Sequence, residues 1–211
     1  YIKSVSNAEI TIAEGCGAPL YNTHRPFRKL GYSDLTRSNG MLLVDLNDAE
    51  TTELIDRRCR VFPRFMMPRL IMDSFLISVP VLKKHFLAKV TLTMKNMLGC
   101  APPDHYGGFI WKKSRFHQNM HRSIFEMNLY RTPDLTILDG SVGLSCHHLG
   151  GPKCRPHVGK LIGGFDPVAV DACGAELLGV DWRNVEHIRL AHTVIGRADY
   201  PAKYESEFRN R

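Results

Sequence analysis

The chain has 211 residues, 44% of them hydrophobic and 23% charged, an ordinary globular balance able to bury a sizeable core. Its net charge of +7 and pI near 9.2 favour anionic partners such as phosphates, carboxylates or nucleic acid. No apolar run approaches the roughly 18–20 residues of a membrane span, no secretory signal is visible, and six cysteines without a CxxC pair exclude a disulfide scaffold and an iron–sulfur run.

AEITIA, residues 8–13, alternates and is rich in isoleucine, which predicts a strand followed by the loop EGCGAP at 14–19. A short helical stretch is expected around 27–38, interrupted at Gly31 and closed by Asn39-Gly40. MLLVDL, 41–46, is an apolar run short enough for a buried strand, and 48–55 reads as a turn of helix. Residues 60–68, with two prolines and two aromatics, read as irregular. A short helix over 69–73 leads into the buried strand FLISV, 75–79.

A helix is expected over about 88–98, with Val90, Met94, Met97 and Leu98 on one arc, although the VTLT run also suits a strand. Residues 100–116 form a long loop carrying WKKSR, and 118–130 a helix. A strand over 135–138 ends at Asp139-Gly140, and a second long loop, 141–157, precedes a strand over 158–162. In GGFDPVAVDACGAELLGV, Asp166 is placed to cap a helix, Pro167 to fill its first turn and Gly179 to end it. Asp171 reads as a first-turn or surface carboxylate, and a last helix is expected over 182–195. Alternating strands and helices predict an α/β fold, a single domain over 1–211 with a largely parallel or mixed sheet flanked by helices on both faces.

Ligands of open parallel sheets bind at the carboxyl ends of the strands. The groups that follow the predicted strands are Glu14-Gly15, Asp45, Lys83-Lys84-His85, Asp139-Gly140 and residues 163–166. Lys83 and His85 are two apart and share one side of an extended backbone. With Lys95 and Asn96 they form a candidate cradle for a phosphate or carboxylate, assisted by the N-terminus of the following helix. Gly140 is a further candidate contact, and His85 and Asp139 are candidate proton-handling groups. The plainer alternative is a solvated basic loop. The loop GLSCHHLGGPKCRPHVG offers Cys146, His148, Cys154 and His157, donors that suit zinc or another borderline metal. Against this, the cysteine spacing matches no standard finger. Cys16 and Cys100 beside glycines are either reactive thiols or inert ones.

VPVLKKH followed by VTLTMKNMLG, then PDLTILDG, then GGFDPVAVDACGAELLG with the helix around 187–191, resemble the family known as domain of unknown function 362. The resemblance covers most of residues 8–195. It implies roles for Lys83, His85, Lys95, Asn96, Asp139, Gly140, Asp166 and Asp171. Family members are found mostly in bacteria and archaea, and several are fused to modules that bind four-iron clusters, which implies redox or cofactor-related work. This chain lacks those cysteine runs. Gly151-Pro152 is kept, but Cys146, His147, His148 and Cys154 flank it, a departure that leaves room for a metal. Members usually have sequence before the first strand, so Tyr1 is not expected to be the native start.

The leading expectation is a cytoplasmic domain that binds a small anionic ligand or cofactor at Lys83, His85, Lys95 and Asn96. The alternatives are a metal-binding or redox-associated module centred on the 146–157 loop, working with a redox partner protein, and a basic surface that docks an acidic partner. Neither membrane binding nor sequence-specific nucleic-acid binding is expected, since the aromatics show no spaced stacking pattern.

Overall fold

The computed structural model describes residues 1–18, 22–107 and 111–200. Pro19 of the first loop, residues 108–110 of the 100–116 loop and residues 201–211 lie outside the described residues.

From the amino end, α1 (Ile2–Val5), β1 (Thr11–Glu14), α2 (His24–Lys29), α3 (Tyr32–Ser38) and β2 (Leu42–Asp45) precede β3 (Thr51–Ile55), β4 (Arg64–Pro68) and α4 (Arg69–Met72). Then follow β5 (Ile77–Ser78), β6 (Val81–His85), β7 (Lys89–Thr91), α5 (Thr93–Asn96), α6 (Pro103–Tyr106) and α7 (Met120–Tyr130), with 3-10 turns at Met97–Cys100 and Ser114–Asn119. β8 (Leu135–Leu144), β9 (Lys160–Gly164), α8 (Pro167–Leu177), a 3-10 turn at Trp182–Asn184 and α9 (Glu186–Ala191) come last. The α/β class with a mixed sheet is as expected. The elements fall into two compact units interleaved along the chain: Tyr1–Arg58, Pro63–Ser74 and Leu98–Gln118 in the first, Cys59–Phe62, Phe75–Met97 and Asn119–Arg211 in the second.

In the first unit β1 and β2 run parallel, Thr11 opposite Leu42 and Glu14 opposite Asp45. β3 and β4 form an antiparallel pair, Thr51 opposite Pro68. This overturns both the helix expected over 48–55 and the irregular 60–68. The β-branched Thr51, Thr52 and Ile55 favour an extended chain. In β4, Phe65 and Met67 alternate inward and are fully buried, while the prolines stand outside or at the end of the strand, where no ladder donor is lost. The expected 100–116 loop contains α6, whose Tyr106 ring stacks on Phe65 at 4.6 Å and whose hydroxyl accepts from the Met66 amide at 2.7 Å. After β1 the chain passes so close to Gly99 that a Cβ on Gly15 would lie 2.1 Å from the Gly99 carbonyl oxygen.

In the second unit the long strand β8 carries the sheet. β5 and β6 both pair with one edge of it in parallel, Ile77 opposite Leu135 and Val81 opposite Asp139. The Asp139 amide donates to the Pro80 carbonyl between them, so 77–85 is one interrupted strand. β9 pairs with the other edge antiparallel, and β7 runs antiparallel to β6. Lys83 and His85 therefore lie within a strand, not after it, because the KVT segment at 89–91 supplies a ladder partner that extends the strand through KKH. Asp139-Gly140 likewise lies inside β8: β9 pairs with it as far as Gly140 opposite Lys160, and beyond the glycine the Gly159 and Val158 amides donate to the Ser141 and Val142 carbonyls; the register with β6 slips between Val81 and Lys83, whose partners are Asp139 and Leu144. The helix expected over 88–98 is β7 followed by the single turn α5, and the strand expected over 158–162 is β9. The helix expected over 182–195 is a 3-10 turn and the short α9. α7 and α8 follow the sequence reading, with the Asp166 carboxylate accepting from the Val168 and Ala169 amides at 2.8 and 3.1 Å.

Buried polar groups tie this unit together around a core that includes Leu82, Leu92, Met94, Ile124, Leu138 and Ile188. Asp171 of α8 is fully buried, not a surface carboxylate, and accepts from the Thr93 and Met94 amides at 2.7 and 3.0 Å. Glu126 of α7, also fully buried, accepts from the amides of Arg60, Val61 and Phe62 and from Arg122. Desolvation pushes its pKa up, but Arg122 and the three amides outweigh that and hold it below the usual value.

Two outcomes are expected. Gly15→Ala should lower the thermal midpoint sharply while Gly17→Ala, where no atom lies within 4 Å of the added carbon, should leave it nearly unchanged. Burial raises the Asp171 pKa from 3.8 to about 7, so the folded state holds a proton that the unfolded chain releases. Its contribution is complete below about pH 4 and is lost as pH rises towards 7. Urea midpoints should show the wild type losing on the order of a few kcal/mol relative to Asp171→Asn across that window, with no further change above it.

Candidate functional site

The basic stretch gains its geometry from three short elements of the second unit. On β6, Lys83 faces Thr91 and His85 faces Lys89 across the antiparallel pair. The turn between the strands is tight: the Val90 amide donates to the Ala88 carbonyl at 2.7 Å across Lys89, whose φ is 62°. That is the positive-φ form of the γ-turn, which is rare and strained for a residue with a side chain. His85 is buried, and its Nδ1 accepts from the Leu87 and Ala88 amides, each at 3.1 Å. Two backbone donors on Nδ1 leave the neutral ring's proton on Nε2. The His148 ring lies over that of His85, centroids 3.9 Å apart and 15° from parallel.

α5 presents Lys95 and Asn96. Four neighbours hold this single turn: Asp171 at its leading amides, Thr136 at the Thr93 hydroxyl (2.9 Å), Asn128 at the Met94 carbonyl (2.9 Å) and Ser78 at the Asn96 amide group (3.1 Å). The helix terminus expected to assist an anion is thus already occupied by a carboxyl. Lys95 is mostly buried, and among the described residues its ammonium makes no hydrogen bond and meets no carboxylate. Burial first, and the neighbouring Lys83 charge second, lower its pKa to about 8.

Asp139 and Gly140 stand apart from this arrangement in their contacts. The Asp139 carboxylate accepts from the Ser141 amide at 2.9 Å, and the Ser141 bonds lower its pKa. A Cβ on Gly140 would meet the Lys160 carbonyl at 2.9 Å and Leu82 at 3.3 Å, so that position serves close packing within the sheet. The four candidate metal donors do not gather. His148 covers His85, Cys146 is exposed, and Cys154 and His157 line an open cleft of about 440 Å³ with Lys84 and Arg155. Among the described residues no group of three or more His, Cys, Asp or Glu side chains is placed to hold a metal ion.

Residues that the sequence reading did not single out complete the surroundings. His187 of α9 is fully buried, its Nδ1 lies 2.9 Å from Nδ1 of His121 on α7, and its Nε2 has no hydrogen-bond partner. Desolvation first, then the charges of His121, Lys95 and His85, lower its pKa well below the usual range. In the first unit, the ends of the parallel strands β1 and β2 form a separate polar cluster. Asp45 accepts from the Thr23 hydroxyl, and buried Lys113 donates to the Gly99 carbonyl at 2.7 Å. Desolvation lowers the Lys113 pKa to about 8 against the pull of Glu14, Cys100, Asp45 and Cys16. The signal for Lys113 was the WKKSR run, which gives no hint of which lysine is buried.

No helix among the described residues is long and apolar enough to cross a membrane. No curated protein and no solved structure matches the chain. The sequence model of the family described as Domain of unknown function (DUF362) matches residues 1–176, most of the chain, and the protein belongs to that family.

Proposed function

We propose that the basic cluster of the second unit binds a small oxyanion, a phosphate or carboxylate group of a metabolite or cofactor, within one α/β domain. The observation that carries this reading is Lys95: a mostly buried ammonium that has no acceptor among the described residues and lies beside the charge of a second lysine. A fold that buries a cation without an acceptor loses stability unless an anion completes it. Asn96 supplies a further donor, and the bonds that pin α5 fix the lysine before the ligand arrives. Lys83 contributes charge. Asp139, engaged with Ser141, is assigned an orienting role within β8 and not a contact with the anion.

The test uses inorganic phosphate and Lys95→Met. Methionine removes a costly buried charge while keeping the length of the side chain, so the variant should melt higher than the wild type without phosphate. Phosphate should raise the melting temperature of the wild type and not that of the variant. The sign of the pH dependence follows from the lowered lysine pKa: the ammonium needed for binding is lost as pH rises through about 8. Phosphate affinity measured by calorimetry should therefore weaken above that pH, approaching about tenfold per pH unit. Equal stabilisation of wild type and variant would exclude Lys95 as the anion-binding group.

A further inference from the structure

His121 and His187 carry a constraint that the oxyanion reading does not use. The backbone amide of His187 lies 3.4 Å from Nδ1 of His121, and the His187 ring Nδ1 lies 2.9 Å from the same atom. An amide can only donate, so His121 Nδ1 is an acceptor and the proton between the two rings belongs to His187. The rings are 5.2 Å apart and 24° from parallel, which keeps this contact in place. Neutral His187, with its proton on Nδ1, must then present a bare lone pair at Nε2. That atom is buried and has no partner. A buried acceptor in this state calls for a donor. The charged groups whose fields reach the His187 ring are His121 from α7, Lys95 from α5 and His85 from β6. Those reaching His121 are Glu186 of α9 and Lys89 of β7, together with the Leu87 backbone. From α8, Asp171 is directed to the α5 amides.

We propose that His187 Nε2 is the specificity-determining acceptor of the oxyanion site, so that the site selects an anion that carries its own proton near neutral pH, hydrogen phosphate, over fully deprotonated ones such as sulfate. This rests on the oxyanion reading of Lys95. The phosphate hydroxyl donates to His187 Nε2, directly or through one water, while its other oxygens face Lys95 and Lys83. Sulfate brings only lone pairs and meets the His187 lone pair with repulsion. His121 holds the tautomer. When His121 takes a second proton at low pH, its Nδ1 becomes a donor. The His187 Nδ1 proton is then no longer needed there: one N–H bond breaks at His187 Nδ1 and one forms at Nε2, with the extra proton carried by the half-buried His121. The inner nitrogen changes from acceptor to donor, the buried ring stays neutral, and the preference for phosphate disappears.

Calorimetry with inorganic phosphate and with sulfate at pH 7.5, on the wild type and on His121→Phe, tests this. The wild type should bind phosphate at least about tenfold more tightly than sulfate. In His121→Phe the His187 proton is free to move to Nε2, and the two affinities should converge with the melting temperature of the free protein still cooperative. Nitrogen-15 NMR of the imidazoles gives an independent readout: His187 should be protonated at Nδ1 at pH 7.5 and at Nε2 in His121→Phe. If the wild type binds both anions equally, or if His121→Phe keeps the preference, the assignment of His187 is wrong while the Lys95 site stands. If neither anion binds the wild type, the oxyanion reading itself fails and this assignment with it. An Nε2-protonated His187 in the wild type at pH 7.5 also overturns it.

Discussion

The arrangement of the second unit depends on one buried contact, the Asp171 carboxyl against the first amides of α5. A single helical turn has almost no stability of its own, because its leading N–H groups and trailing carbonyls outnumber the bonds inside it. α5 persists because its unsatisfied amides meet a carboxyl fixed on the well-capped helix α8, and because Asn128, Thr136 and Ser78 take up the remaining polar groups. The cost is an acid in a dry environment, expressed as its raised pKa. The result is a lysine whose position is settled by packing and not by an ion pair. The two family segments, TMKN and DPVAVD, are therefore one structural device: the second holds the first.

Electrostatics in this unit are divided between satisfied and unsatisfied groups. Glu126 is buried with four donors around it and stays ionised, anchoring residues 60–62 to α7. Lys95 is mostly buried and His187 fully buried, and each has a polar atom without a hydrogen bond among the described residues. Proteins rarely leave such groups without a reason, and here they fall within one another's fields. Fixing His85 through two backbone amides and His187 through His121 gives both neutral rings a defined tautomer.

Local signals in the sequence carried the helices best. Asp166-Pro167 marks the start of α8, Gly31 with φ 80° separates α2 from α3, and the apolar run of β2 is short enough to be a strand. Strand limits were less legible because pairing decides them. Lys83 and His85 became strand residues through pairing with KVT at 89–91, and β8 runs past Asp139-Gly140 where residues 158–159 and Lys83 of β6 pair with it beyond the end of β9. The β3–β4 pair was obscured by prolines whose positions outside or at the end of a strand do no harm. Within the candidate site, Lys83, His85, Lys95 and Asn96 were legible from residue type and resemblance. Asp171 was named by the resemblance but read as a first-turn or surface carboxylate, and His187 was not singled out, since a charged or titratable residue in a sequence reads as exposed until a specific partner is seen to bury it. The four loop residues Cys146, His148, Cys154 and His157 are suitable donors close in sequence, yet among the described residues no three such side chains are placed together to hold an ion.

The interleaving of the two units has a consequence for the order in which the protein is made. Every residue of the first unit is present once Gln118 has been synthesised, whereas β5 and β6 must wait for β8, and the α5 amides for a carboxyl 78 positions downstream. A nascent chain that has reached Val170 already carries Lys83, His85 and Lys95, yet lacks the one group that gives α5 its shape. Until β8 is complete at Leu144, the edges of β5 and β6 that it covers stay open to other strands. Ribosome and chaperone thus meet an interval in which the KKH strand and the TMKN turn have been made but the carboxyl that fixes the turn has not.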